Sequence, residues 1–238
     1  MTALLVTGTG TGVGKTVVTA AVAALAAAKG ERVLVLKPAQ TGEPDGGAGD
    51  LTEVVRLAGP VGTLELARYP DPLSPAAAAR RSGRPALTLD AIGDAVAAAR
   101  AEADLVLVEG AGGLLVHYDD RGLTMAEVAA ELGLPVLLVT TAGLGTLNTT
   151  ALTLEAMERR ELVLHSLVIG AWPTGPELAE RCNVGDLETL TGRPLAGVLP
   201  DGAGGLGQPE FLTAARDGLG HGLGGRFDPT AFRESVQA

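Results

Sequence analysis

Aromatic side chains are nearly missing from this sequence: its 238 residues include one Trp, two Tyr and three Phe. The interior must therefore be built from Ala, Val and Leu. Cysteine is as scarce. Cys182 alone excludes an internal disulfide framework and a multi-cysteine metal site, and suits a small semi-buried side chain in a reducing compartment. Positive charge is in deficit, with 18 Lys and Arg against 28 Asp and Glu and a formal net charge of -10. Such a chain repels nucleic acid and anionic membranes unless its charge is sharply uneven, so neither is expected as a partner. An anionic ligand must then be held locally, by backbone amides, a few cations or a metal. No stretch approaches the roughly 18 continuous apolar residues of a membrane span. No basic segment and apolar leader precede Leu4-Leu5-Val6, so a cytoplasmic location is expected. The histidines His117, His165 and His221 show no zinc-site spacing. No Gly-x-Ser-x-Gly elbow supports a serine hydrolase.

What is present is apolar and periodic. Hydrophobic residues make up 46% and charged residues 19%, which excludes a disordered chain. The length suits one domain better than two. Short apolar runs predict strands at 3–7, 32–36, 104–108, 135–140, 166–171 and 195–199. Helices are expected at 16–29, 50–58, 89–101, 124–132, 146–160 and 176–190, with a short one at 209–217. Pro38 is expected to end the second strand, and 40–49 reads as a loop. Apolar strands separated by helices predict an α/β fold with a parallel sheet covered on both faces. We expect 1–218 to form a single α/β domain and the Gly-rich segment 219–238 to be a mobile tail.

The strongest signal is Gly8-Thr-Gly-Thr-Gly-Val-Gly-Lys-Thr16, set between a strand and a helix. Glycines let backbone N–H groups turn inward around phosphate oxygens, and the helix start adds partial positive charge. Lys15 can reach the β- and γ-phosphates and the Thr16 hydroxyl can ligate Mg²⁺. The strict pattern wants Gly where Thr9 stands, so this is a variant phosphate loop. It answers how an acidic chain binds a polyanion. A carboxylate nearby is then expected for the metal. Glu109 ends a strand and precedes Gly110-Ala-Gly-Gly113, at the sheet edge where ligands bind in open α/β folds. Asp50 opens a helix after a Gly-rich loop, which helix capping alone would also explain. Lys37 stands at another strand end, and Gly145-Thr-Leu-Asn148 opens a helix whose amides suit a carboxylate or ordinary capping.

Taken in order, the phosphate loop, Lys37-Pro38-x-x-Thr41-Gly42, Val108-Glu109-Gly110-Ala-Gly-Gly113 and Leu144-Gly-Thr-Leu-Asn148 resemble the motifs of the dethiobiotin synthetase family, from residue 1 to about 202. The resemblance implies a three-layer, P-loop NTPase-type fold with a mostly parallel seven-stranded sheet. It implies a homodimer with active sites at the interface. The implied substrates are 7,8-diaminononanoate, CO₂ and ATP or another nucleoside triphosphate, with Mg²⁺. Lys37, Lys15 and Thr11 resemble the catalytic positions. Gly12, Val13, Gly14, Lys15, Thr16, Val17, Asp50, Glu109, Gly110, Ala111, Gly112, Trp172, Pro200, Asp201 and Gly202 correspond to the nucleotide site. Thr16, Asp50 and Glu109 resemble its metal shell. Thr41, with Gly145, Thr146, Leu147 and Asn148 of the partner subunit, corresponds to the diamine site. One departure stands out. Trp172 and Pro173 occupy a position where many members carry an Asn that reads the adenine edge. Indole offers one N–H and a stacking face rather than an amide's paired donor and acceptor, so weaker base selectivity is expected. A partition-type ATPase switch shares the fold. Such switches usually carry a second lysine where Gly10 stands.

Overall fold

The computed structural model describes residues 2–237. Leu4-Leu5-Val6, Val106-Leu107-Val108 and Val136–Val139 are all buried, as runs that face helices on both sides should be. They lie in β1 (Thr2–Gly8), β4 (Leu105–Gly113) and β5 (Val136–Thr140). Around them stand β2 (Val33–Thr41), β3 (Gly62–Tyr69), β6 (Leu164–Trp172) and β7 (Gly197–Pro200). The helices are α1 (Lys15–Ala28), α2 (Asp50–Ala58), α3 (Pro75–Ser82), α4 (Leu89–Glu102), α5 (Met125–Leu132), α6 (Thr146–Glu158), α7 (Leu178–Thr191), α8 (Gln208–Gly218) and α9 (Pro229–Gln237).

The seven strands form one sheet in the order β3-β2-β4-β1-β5-β6-β7. Every strand pairing among the described residues is parallel. One face packs on α1, α2 and α8 through Val18, Val22, Leu57 and Phe211; the other packs on the remaining helices through Ile92, Val96, Met125 and Leu187. The seventh strand expected from the family resemblance is β3, and the sequence pattern alone had not located it.

Pro38 does not end β2, which continues to Thr41. The register shows why. Pairing of β2 with β4 stops at Leu36, while pairing with β3 resumes at Ala39 and runs on to Thr41. A residue without an N–H is tolerated where a strand has lost one neighbour. This parting of β2 from β4 opens the sheet above Leu36.

The segment expected to be a mobile tail is folded against the body. Leu219, Leu223, Phe227 and Val236 are buried, and Gly220 and Phe227 donate backbone hydrogen bonds to Ala196 and Leu219 at 2.8 and 2.9 Å. Asp228 caps α9, its Oδ1 accepting from the amides of Thr230 and Ala231. The glycines here mark close packing. A Cβ on Gly225 would lie 2.0 Å from the carbonyl oxygen of Leu219.

Candidate active site

At the carboxyl ends of β1, β2 and β4 lies a cleft of about 650 Å³. It sits where the strand order reverses about β1, the usual position of ligands in open α/β sheets. The phosphate loop forms one wall. Gly14 holds a left-handed conformation at φ 94°, and its Cα faces β6 so closely that an added Cβ would be 2.8 Å from the Gly170 oxygen. Lys15 heads α1, 8% exposed, and its Nζ donates to the Gly10 carbonyl at 2.8 Å. Burial, helped by the charge of Lys37, lowers the Lys15 pKa to about 8; Glu109 and Asp50 oppose the change.

Opposite the loop, Lys37 is 2% exposed. Its Nζ donates to Glu109 Oε1 at 2.8 Å and to the Gly110 carbonyl at 3.4 Å, and it forms an ion pair with Asp50. Burial alone would lower this pKa, but Glu109 and Asp50 outweigh it and hold the ammonium above the usual lysine range. The Thr16 hydroxyl donates to the same Glu109 oxygen at 2.9 Å. One carboxylate thus joins the phosphate loop to Lys37. The other oxygen, Oε2, is buried and has no hydrogen-bond partner among the described residues.

These groups fit a hard divalent cation. Thr16, Asp50 and Glu109 supply oxygen donors only, and the orphaned Oε2 is the kind of atom a cation satisfies. No three His, Cys, Asp or Glu side chains gather around a common point among the described residues. A cation here would therefore draw on the hydroxyl and on phosphate oxygens as well.

Of the other expected site residues, Thr11, Gly12, Val17, Thr41, Ala111 and Gly112 line the cleft. Val13 is buried beneath the loop. Trp172, Pro200, Asp201 and Gly202 are not among the residues that line the cleft. Trp172 pairs with Pro200, and its carbonyl accepts the Asp201 amide at 2.8 Å. The next turn, at Gly204, approaches Val17 of α1. Trp172 packs against the core that contains Phe227, on the other side of the sheet from Val17 and Ala203. Gly145, Thr146, Leu147 and Asn148 do not line the cleft of their own chain. They start α6, beside Leu144, which is 91% exposed.

A buried set of hydroxyls connects that helix start to the phosphate loop. Thr140 Oγ1 lies 3.3 Å from Thr9 Oγ1, 2.7 Å from Thr146 Oγ1 and 2.9 Å from Thr150 Oγ1. Sequence reasoning missed this set, and it missed two supports. Gln40 Oε1 accepts the Asp50 amide at 2.9 Å, and Tyr118 Oη accepts the Ala111 amide at 2.7 Å. Complete burial pushes the Tyr118 phenol up to about 12. Gln40 lies inside the Lys37-to-Gly42 motif, so its position was a usable signal; Tyr118 offered none.

Comparison with known proteins agrees with this geometry. Residues 2–204 match a family model described as an AAA domain. An ATP-dependent dethiobiotin synthetase of Frankia casuarinae is 58% identical over 233 residues, covering 98% of each chain. One from Streptomyces avermitilis is 54% identical over 232 residues, again 98% of each. These alignments are too long to omit the segment after 218, which therefore has counterparts in such relatives. Among solved structures, the septum site-determining protein MinD of Pyrococcus horikoshii, complexed with Mg-ADP, shares the fold. Its TM-score is 0.57 at 16% identity, over 90% of this chain and 93% of the other. A ParA family ATPase from Chlorobium tepidum gives 0.55 at 15% identity, over 99% and 98%.

Proposed function

The chain belongs to the dethiobiotin synthetase family, and on that premise we propose that its cleft closes the cyclic urea of dethiobiotin from 7,8-diaminononanoate, CO₂ and ATP. Lys37 carries the reading. A switch ATPase needs a phosphate loop and a metal, but it has no use for a lysine buried on the neighbouring strand 2.8 Å from the metal-side carboxylate.

The residues suit the chemistry. One amine of the diamine adds to CO₂ and loses a proton, giving a carbamate. A carbamate is a poor electrophile. Its oxygen attacks the γ-phosphate, ADP departs, and a carbamic-phosphoric anhydride remains. The second amine then attacks the carbonyl carbon, the ring closes and phosphate leaves. Lys37 offsets the negative charge of the carbamate beside it. Lys15 and the amides of Gly12–Thr16 stabilise charge on the transferring phosphoryl group without reorganising. Mg²⁺, held by Thr16, Asp50 and Glu109, would supply charge neutralisation at the β- and γ-phosphates. Thr11 and Thr41 sit where they can orient the carbamate and diamine.

The substrate carboxylate falls to the amides of Gly145–Asn148. Because these lie outside their own chain's cleft, they serve the active site of a second copy in a two-fold homodimer. Among the described residues no helix is long and apolar enough to cross a membrane.

The deciding experiment incubates the purified protein with diamine, bicarbonate, Mg²⁺ and ATP. Phosphate release is expected to require the diamine and to match dethiobiotin formed. Release at the same rate without diamine would support a switch ATPase.

A further inference from the structure

The helix that carries Asp50 begins without a cap of its own. Its N-cap is Gly49, which has no side chain to offer. The Gly49 carbonyl accepts the Thr52 and Glu53 amides at 2.9 and 3.3 Å, which leaves the Asp50 amide to find an acceptor elsewhere. An ordinary capping side chain reaches the second or third amide of a helix, not the first. The acceptor comes from the neighbouring strand. Gln40, near the end of β2, takes the Asp50 amide on its Oε1 at 2.9 Å. Its Nε2 donates to the Thr41 carbonyl at 3.1 Å, which fixes the side-chain amide with its oxygen toward α2. Gly49 is glycine for the same reason. An added Cβ would lie 2.7 Å from Gln40 Oε1 and 2.9 Å from its Cδ. Its φ of -111° is open to any residue, so space and not backbone conformation excludes a side chain there.

Asp50 lines the cleft, and its carboxylate pairs with Lys37, which also holds Glu109 Oε1. One strand thus sets both partners of that pair: β2 carries Lys37 directly and holds Asp50 through Gln40. We propose that Gln40 is a positioning residue for the divalent cation of the cleft: by holding the Asp50 amide it fixes the start of α2, and with it the Asp50 carboxylate beside Lys37. This rests on the reading of Asp50 as a cation ligand. The loop before α2 has anchors of its own. Arg68 donates to the Gly47 carbonyl at 2.9 Å, and Arg84 pairs with Asp45. Changing Gln40 therefore frees the Asp50 amide without releasing the loop.

The experiment compares wild type with Gln40→Met, Gln40→Ala, Gly49→Ala, the double variant of Gln40→Ala with Gly49→Ala, and Asp50→Asn. Gln40→Met keeps the buried volume and removes both hydrogen bonds. Binding of Mn²⁺ to the ADP-bound protein is followed by electron paramagnetic resonance. In Gln40→Met its Kd should rise about tenfold, the lower end of what a partner orienting a metal ligand contributes. Gly49→Ala should push the Gln40 amide aside and weaken Mn²⁺ to a similar extent. The double variant should bind no worse than Gln40→Ala, because the group that the new Cβ strikes is already gone. The Mg²⁺ concentration for half-maximal turnover should rise with the Mn²⁺ Kd. KM for the diamine should stay unchanged, and kcat at saturating Mg²⁺ should return close to wild type.

If Asp50→Asn weakens Mn²⁺ while Gln40→Met leaves its Kd unchanged, the positioning role is overturned and Asp50 remains a ligand. A raised diamine KM with unchanged Mn²⁺ binding would likewise overturn it, and would make Gln40 a direct substrate contact. If Asp50→Asn itself leaves the Mn²⁺ Kd unchanged, the ligand reading is wrong and the proposal falls with it.

Discussion

Lys37 is held in place by two carboxylates and is proposed to act on a third. Lys37→Gln removes the ammonium beside Glu109 and should cut dethiobiotin formation by about 10²–10³-fold, the usual value of a positioned electrostatic group. It also leaves a nearly fully buried carboxylate without its counter-charge, which typically costs about 3–5 kcal/mol. Thermal melts should therefore fall, and Mg²⁺ should raise the melting temperature of the variant more than that of wild type. Near-normal turnover would remove Lys37 from the mechanism. A second residue-scale test concerns the close approach of β6 to the phosphate loop. A Cβ on Gly170 would lie 2.0 Å from the Val13 carbonyl oxygen and 3.1 Å from Gly14 Cα. Neither backbone atom can yield cheaply, so Gly170→Ala should displace the loop. Calorimetry should show nucleotide affinity reduced at least about tenfold, or 1.4 kcal/mol; unchanged affinity would show that the loop tolerates a shift. Both sites were partly legible beforehand. Lys37, Glu109 and the loop glycines announced themselves by standing at strand ends or helix starts. Gly170 did not, because a glycine inside an apolar strand gives no sign of which backbone it must admit.

At the scale of elements, the six strands readable from sequence are those with near-continuous apolar runs. β3 escaped because it is an edge strand that pairs, among the described residues, only with β2. An edge strand can carry Thr63, Glu65 and Arg68 among its apolar residues, so no run appears. α3 escaped for a different reason. Its Ala76–Ala79 packs by smallness rather than by an apolar stripe, although Pro75 at its first turn was a readable start. The polar residue pair Arg32 and Asp104 ties the strand starts together. Asp104 accepts the Arg32 amide and both arms of its guanidinium, at 3.0, 3.1 and 2.7 Å, while its own carbonyl accepts the Thr2 amide at 3.1 Å. These hydrogen bonds from Arg32 hold the Asp104 carboxyl down at about 2. A depressed carboxylate pKa contributes stability above the unfolded value near 3.9, and loses it as pH falls toward 2. Asp104→Asn should therefore lower the urea midpoint at pH 6, with the difference shrinking between about pH 4 and 2. A difference that stayed constant across that window would assign the effect to packing instead of charge. The pair is exposed, so the effect should be small.

For the whole molecule, the sharpest expectation follows from Gly145–Asn148 standing outside their own chain's cleft. Gly145 has φ 91°, so Gly145→Val strains the start of α6 while leaving Lys37 intact. Lys37→Gln spoils the other half of the site. Each homodimer should be inactive, yet unfolding and refolding them as an equal mixture should restore about one quarter of wild-type activity, since half the dimers then hold one whole site. No recovery would place both halves in one chain. The hydroxyl set behind this arrangement has a direction. Thr146 donates its single proton to the Thr141 carbonyl at 2.7 Å, so Thr140 must donate to Thr146. With that proton committed, Thr140 can only accept from Thr9 and Thr150, and both its lone pairs are filled. The protons of Thr9, Thr140 and Thr146 are therefore ordered in one sense, from the phosphate loop toward the start of α6, while Thr150 donates back from within that helix. In the proposed two-fold dimer, where that helix start serves the neighbour's active site, the polarity of Thr9, Thr140 and Thr146 would run from one catalytic centre toward the other.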